Sequence, residues 1–217
     1  MRIALIHALR HSPPPIEQAF AQLWPDAELC NLLDDSLSSD LARAGRLDEA
    51  MHDRFLTLGR YAKGTGADAI LFTCSAFGPC IDRVRADLHP LVVHKPNQGM
   101  FTEAAAHGGR IGLIASFRPS LASLAAEFPA GTDVTPIYAA GALDALERGD
   151  HEAHDRLTAD AASQADVDLF ALGQFSLARA ADRVREATGK PVLTTPDAAV
   201  RELARALGLT LQAGRCR

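Results

Sequence analysis

The fold is decided by residues 67–78, which read Ala67-Asp68-Ala69-Ile70-Leu71-Phe72-Thr73-Cys74-Ser75-Ala76-Phe77-Gly78. Apolar and small residues run without alternation from Ala69 to Thr73, which is typical of a strand buried on both faces of a parallel sheet. The run then ends at a thiol, Cys74. Ligands bind at the carboxyl edge of open parallel sheets, so this position makes Cys74 a candidate for chemistry. A cysteine that closes a core strand is also a common packing residue, and that interpretation stays open here.

The rest of the first half alternates strands with helices. A strand is predicted over residues 2–8, a weaker one over 27–33 and a short one over 91–94. Ser12 followed by Pro13 to Pro15 predicts a helix start, with Ser12 as the N-cap. A second helix is predicted from about residue 47 to residue 63, after a polar loop over 34–40. This order predicts an α/β fold with a parallel sheet.

Composition limits the classes of function. The chain has 217 residues, a formal net charge of −5 and a pI near 5.9, and its cations are scattered, which argues against a nucleic-acid partner. No stretch is apolar enough for a membrane span, and the N-terminus does not read as a signal peptide, so the expected location is cytoplasmic. The four cysteines, which fit no zinc or redox spacing, are interpreted as free thiols; they are Cys30, Cys74, Cys80 and Cys216.

The second half of the sequence repeats the first. The segment from Arg2 to Ser12 aligns with the segment from Arg110 to Ser120 and shares six of eleven residues with it. The later parts of the two halves also correspond in order, and Asp82-Arg83-Val84-Arg85 returns as Asp182-Arg183-Val184-Arg185. A repeat of this length exceeds the periods of solenoids, so it predicts two paired lobes built as copies of one α/β unit.

The alignment pairs Cys74 with Gln174, since each lies six residues after the matched Asp68 or Asp168. If the lobes face each other, the two strand ends line one cleft. The loops after the first strand of each lobe add Arg10 with Ser12, and Arg118 with Ser120, beside helix N-termini that favour anions. A small carboxylate or carbonyl compound bound there is one hypothesis. The alternative is that the two serines are helix caps and the two arginines are surface residues.

With these features, the chain resembles the aspartate/glutamate/hydantoin racemase superfamily. The resemblance is carried by three segments: Asp68-Ala69-Ile70-Leu71-Phe72-Thr73-Cys74-Ser75, Arg110-Ile111-Gly112-Leu113-Ile114-Ala115-Ser116 and Pro191-Val192-Leu193-Thr194-Thr195-Pro196. It implies a cofactor-independent enzyme with two pseudo-symmetric flavodoxin-like lobes, each with a four-stranded parallel sheet flanked by helices. Residues 1–96 with about 198–217 would form lobe 1, residues 97–197 lobe 2, and the active-site cleft would lie between them.

The resemblance also implies a pair of cysteines that flank the substrate Cα, one as base and one as acid. Here the first matches as Cys74, whereas Gln174 occupies the place of the second, and an amide does not exchange protons usefully near pH 7. We therefore expect a one-sided proton transfer with Cys74 as the single acid or base, either isomerase-like or decarboxylase-like. Arylmalonate decarboxylases are single-cysteine members of the wider superfamily that keep the cysteine of the other lobe. Gln174 would hydrogen-bond the substrate.

Further substrate-binding candidates lie near the predicted strand ends and in the matched motifs. They are His7, Arg10, Ser12, Thr73, Ser75, Lys95, Ser116, Ser120, Phe175 and Thr194. We expect a small carboxylate or carbonyl substrate, no cofactor, no metal, no nucleic acid and no membrane partner, and we leave a homodimer open.

Two rival functions remain. The first is a small-carboxylate-binding protein that has lost catalysis, which Gln174 favours. The second is a cysteine hydrolase that pairs Cys74 with His7 or His94. The residues around Cys74 do not form a nucleophile elbow, which weighs against this second reading.

Overall fold

The computed structural model describes residues 1–211 and divides them into two compact units. Unit 1 comprises Met1–Pro96 together with residues 199–211, and unit 2 comprises Asn97–Ala198. Cys216, interpreted above as a free thiol, and the last residues assigned to lobe 1 lie outside the described residues.

Unit 1 is a four-stranded parallel sheet with the order β2-β1-β3-β4. Its elements are β1 (Arg2–His7), α1 (Pro13–Leu23), β2 (Glu28–Leu33), α2 (Leu37–Ala44), α3 (Glu49–Gly64), β3 (Ala69–Phe72), a 3-10 turn (Ser75–Phe77), α4 (Gly78–Leu88) and β4 (Val92–His94). All four residues of β3 are buried, as the unbroken apolar run predicts.

Unit 2 repeats this topology in a second four-stranded parallel sheet with the order β6-β5-β7-β8. Its elements are α5 (Gln98–His107), β5 (Arg110–Ala115), α6 (Ser120–Ala126), β6 (Asp133–Tyr138), α7 (Ala142–Glu147), α8 (His151–Ser163), β7 (Leu169–Leu172), a 3-10 turn (Phe175–Ala180), α9 (Ala181–Thr188), β8 (Val192–Thr194) and α10 (Thr195–Ala206), which crosses the division between the units. The predicted α/β fold class, with two four-stranded parallel sheets, is confirmed.

The duplication extends to matched polar contacts. The Asp68 carboxylate accepts a hydrogen bond from the backbone N–H of Arg2 at 2.7 Å, and the Asp168 carboxylate accepts one from the backbone N–H of Arg110 at 2.8 Å. In each unit the aspartate that precedes the third strand is thus joined to the start of the first strand. Sequence-matched residues therefore occupy the same place in the two copies.

The polar segment after β2 differs from the prediction. Residues 34–40 were expected to form a loop, but α2 begins within them at Leu37. Leu37 is buried, and Leu41 packs against the same core, so tertiary packing overrides the low helix propensity of the serines and aspartates. None of the helices in residues 1–211 is long and apolar enough to cross a membrane.

Gly112, in the middle of β5, marks a tight point of the unit 2 core. A Cβ atom there would lie 2.8 Å from Ile137 Cδ1 and 2.9 Å from Phe170 Cδ1. We expect Gly112→Ala to lower the free energy of unfolding by about 1–3 kcal/mol through overpacking, measured by urea denaturation. Gly64→Ala is the matched control, because a Cβ at Gly64 meets no atom within 4 Å. An equal loss in both variants would contradict this explanation.

Candidate active site

The carboxyl end of β3 presents the Cys74 thiol. The backbone N–H of Thr73 donates to the carbonyl of Ile6 at 3.0 Å, which keeps the chain in register with β1 beyond the last strand residue. The backbone of Cys74 is extended, and the residue precedes the 3-10 turn that begins at Ser75. Its side chain is half-buried beside the unit 1 core. The predicted placement of a thiol at a strand end is therefore what the structure has.

Burial raises the pKa of the Cys74 thiol above its ordinary value, because desolvation disfavours the thiolate. The backbone N–H of Ala76 acts in the opposite direction by hydrogen bonding to the sulfur, and its effect is the smaller one. The protonated thiol therefore predominates at neutral pH. A group in that state is suited to give a proton rather than to remove one.

His7, at the end of β1, is fully buried and has partners for both ring nitrogens. Nδ1 lies 2.8 Å from the Thr73 hydroxyl oxygen, and Nε2 lies 2.8 Å from Asn31 Oδ1. Burial lowers the pKa of His7, although the hydrogen bond between His7 and the Asn31 side-chain oxygen opposes this. His7 is thus a neutral ring, and its nitrogens are engaged by the protein. Neither Asn31 nor its partner Glu17 was predicted. Asn31 reaches His7 only through the pairing of β1 with β2, and Glu17, on α1, is joined to Asn31 rather than to His7.

The hydrolase hypothesis requires a histidine within hydrogen-bond reach of Cys74. Burial and the neighbouring Arg85 lower the pKa of His94 to about 4, so His94 is neutral at pH 7. No hydrogen bond joins Cys74 to His7 or His94 in the part of the chain that the structure describes. This arrangement does not favour a cysteine–histidine pair.

In unit 2 the matched position holds a fixed amide. Gln174 Oε1 lies 2.6 Å from the backbone nitrogen of Ser116 and 2.9 Å from its hydroxyl oxygen. A backbone N–H can only donate, so the atom that faces it is the carbonyl oxygen of the amide. The Nε2 amino group of Gln174 is therefore turned to the other side of the amide. Ser116 is buried, and its proton is used by Gln174. That Cys74 and Gln174 serve one substrate stays a prediction.

Two of the three predicted cations, Arg10 and Lys95, are each paired with an acid. Arg10 Nε donates to Asp35 at 2.6 Å, and the arginine side chain is 78% exposed. Lys95 Nζ donates to Asp82 at 2.7 Å. An exposed ion pair contributes little to stability and exchanges readily, so an anion would compete with Asp35 or Asp82 for these groups.

The predicted hydroxyl groups have different surroundings. Ser12 is buried and is the N-cap residue of α1, as predicted, but its side chain makes no capping hydrogen bond. Its backbone is in the right-handed helical region, whereas a capping residue is normally extended. Ser120 donates to the carbonyl of Phe117 at 2.8 Å. Thr194 Oγ1 accepts from the backbone N–H of Asp197 at 3.3 Å and so caps α10.

The remaining candidates adjoin the two strand ends. Ser75 begins the 3-10 turn after Cys74 and is half-buried, and Phe175 begins the corresponding turn after Gln174 and is buried. A cation–π contact was not predicted: the Arg118 guanidinium lies 4.3 Å from the ring centroid of Tyr138. Among residues 1–211, no group of three or more His, Cys, Asp or Glu side chains is placed to hold a metal ion.

Known structures define the class of this fold. No family model and no curated protein matches the sequence. Solved structures do match, and racemases and a decarboxylase that share the α/β fold described above are among them. The resemblance to the aspartate/glutamate/hydantoin racemase superfamily is thereby confirmed at the level of the fold.

Three of these structures illustrate the likeness. Aspartate racemase from Picrophilus torridus is 11% identical, with 97% of this chain and 96% of that chain covered and a TM-score of 0.71. Arylmalonate decarboxylase is 19% identical, with 100% and 98% covered and a TM-score of 0.65. Allantoin racemase from Pseudomonas fluorescens is 17% identical, with 99% and 95% covered and a TM-score of 0.62. At identities this low, the structural likeness shows a shared fold and leaves the reaction open.

Proposed function

We propose that this protein is a cofactor-independent enzyme that transfers a proton at the carbon next to a carboxylate or carbonyl group of a small acid, with Cys74 as its single acid/base. The observation that carries the proposal is the state of Cys74, a thiol at the carboxyl end of β3 whose pKa is raised by burial. A protonated thiol supplies a proton to a carbanion. The shared fold with racemases and a decarboxylase supports the same class of chemistry.

The proposed proton transfer can be part of a decarboxylation or of a one-sided isomerisation. In the decarboxylation, the bond between Cα and the carboxylate carbon breaks, and its electron pair stays on Cα. The Cys74 S–H bond then gives its proton to Cα, and the resulting thiolate takes a proton from water. In the isomerisation, the Cys74 thiolate removes a proton from Cα, and the electron pair of the broken C–H bond moves into the neighbouring carbonyl or carboxylate group. The Cys74 thiol formed in this way then returns the proton to another carbon of the same conjugated system, which restores the thiolate. The raised pKa of Cys74 favours the decarboxylation, because that reaction starts from the protonated thiol.

In unit 2 we assign Gln174 to substrate binding. Its carbonyl oxygen is held by Ser116, so the amino group at Nε2 is the part of the amide that remains to donate. Such a donor would hydrogen-bond a carbonyl or carboxylate oxygen of the substrate and stabilise negative charge that develops there. Ser75, Phe175, Arg10 and Lys95 remain proposed contacts of the same substrate.

The experiment that tests the proposal is a panel assay in D₂O. Amino acids, hydantoins, maleate and malonates are incubated with the wild-type protein, and the products are analysed by chiral chromatography and mass spectrometry. We expect one class of acid to give a product that carries a single deuterium at Cα and has predominantly one configuration. Full racemisation of a chiral substrate, with deuterium in both enantiomers, would contradict the single-thiol mechanism.

One observation favours a second candidate, a small-carboxylate-binding protein without turnover. Gln174 is a hydrogen-bonding group in the place where the family implies a proton-transferring thiol. A thermal shift with members of the same panel, without any product, would support this candidate over the enzyme.

A further inference from the structure

A chain of four side chains runs from the surface of α1 to the residue before Cys74. Asn31 Nδ2 donates to the Glu17 carboxylate at 2.6 Å, and Asn31 Oδ1 lies 2.8 Å from His7 Nε2. His7 Nδ1 lies 2.8 Å from the Thr73 hydroxyl oxygen. Glu17 and Asn31 are exposed, whereas His7 and Thr73 are buried.

The Glu17 carboxylate, at the surface end, determines which group donates and which accepts in each hydrogen bond of this series. A carboxylate only accepts, so Asn31 must turn its amino group to Glu17 and its carbonyl oxygen to His7. That oxygen also only accepts, which places a proton on His7 Nε2. The ring is neutral in its buried position, so Nδ1 carries a lone pair and can accept from the Thr73 hydroxyl. The other acceptor near that hydroxyl, the carbonyl oxygen of Ile6, lies at 3.4 Å and is farther away than Nδ1 at 2.8 Å. The opposite arrangement would set two oxygen atoms against each other at Glu17.

We infer that Glu17 and Asn31 are positioning residues that fix His7 as its neutral Nε2–H tautomer and commit the Thr73 hydroxyl proton to His7. The inference deepens the proposed function on which it rests, because it says what keeps the strand end next to Cys74 uncharged. An imidazolium at His7 would instead favour the Cys74 thiolate and weaken Cys74 as a proton donor. An amide does not relay protons, so these hydrogen bonds orient the His7 ring and do not carry protons to it.

The test is long-range ¹H–¹⁵N NMR of the histidine rings in the ¹⁵N-labelled full chain at pH 7, with His7 assigned by His7→Gln. In the wild type we expect an unprotonated Nδ1 and a protonated Nε2. Glu17→Gln should introduce the second tautomer, because the neutral amide no longer dictates how Asn31 is turned. Asn31→Asp should give a protonated ring, because a carboxylate then faces Nε2. Gln18→Ala, on the exposed face of α1, is the control and should leave the His7 signals unchanged.

Alkylation of Cys74 by iodoacetamide provides the second readout. Asn31→Asp should shift its pH profile to lower pH, whereas Gln18→Ala should not. The inference is overturned by a charged ring or an Nδ1–H tautomer in the wild type, by His7 signals that stay the same in both Glu17→Gln and Asn31→Asp, or by an unshifted Cys74 profile in Asn31→Asp. None of these measurements needs a substrate, so their failure is distinguishable from a failure of the proposed reaction.

Discussion

Cys74→Ala is expected to lower kcat for the acid found in the panel assay by about 10²- to 10⁴-fold, which is the usual contribution of a positioned general acid or base. The methyl group of alanine keeps most of the packing at the end of β3 but has no proton to give. Substrate affinity should change far less, because binding is assigned to other groups. Steady-state kinetics on the same substrate measure both quantities.

Cys30→Ala is the matched control for this prediction. Cys30 is also a partly exposed free thiol of unit 1, but it lies within β2 rather than at a strand end. We expect the kcat of Cys30→Ala to stay within about twofold of the wild-type value, since no group required for proton transfer is removed. A Cys74→Ala enzyme as active as Cys30→Ala would show that Cys74 is a packing residue.

Phe77→Ala is expected to cause the largest loss of stability, about 3–5 kcal/mol in the free energy of unfolding. Phe77 is fully buried in the turn that follows Cys74, and its ring lies 4.8 Å from the ring of Phe55. Phe55 in turn stacks on Phe72 of β3 at 5.4 Å. Truncation of Phe77 leaves a cavity beside the ring of Phe55 and removes the aromatic contact as well. Urea denaturation followed by circular dichroism measures the change.

Phe117→Ala serves as the control for this change. Phe117 is 49% exposed, so its loss should change stability by no more than about 0.5 kcal/mol. The prediction fails if both truncations cost the same, because the cluster of Phe55, Phe72 and Phe77 would then not stabilise unit 1.

Much of the fold could be predicted from the sequence, because the strongest signals are local or repeated. The unbroken apolar run from Ala69 onward places β3 and the thiol that follows it. The matched segments that begin at Arg2 and Arg110 indicate two copies, and the aspartate contacts of both copies agree with that match. The helix α2 was missed, because its stabilising contact is the burial of Leu37 in a core that sequence periodicity does not reveal.

The candidate site was predicted less completely, because side-chain orientation depends on partners that lie far apart in the sequence. His7 was predicted to contact the substrate, but the register of β1 and β2 places Asn31 within reach of His7 and leaves its ring engaged by the protein. The N-cap position of Ser12 was predicted correctly, but its side chain makes no capping hydrogen bond, because that bond normally requires an extended backbone, which sequence alone does not report. Arg10 and Lys95 were predicted correctly as cations near strand ends, but the acids that pair with them were not.

The measurement that tests the central claim most directly is the pH dependence of Cys74 alkylation, followed by mass spectrometry of the peptide that contains it. Burial raises the pKa of this thiol, so its alkylation rate should reach half its maximum at a higher pH than that of a free cysteine peptide under the same conditions. At neutral pH Cys74 should therefore react more slowly than the reference peptide. A midpoint below that of the reference would mean that Cys74 is a thiolate at neutral pH, and it would contradict the assignment of Cys74 as a proton donor.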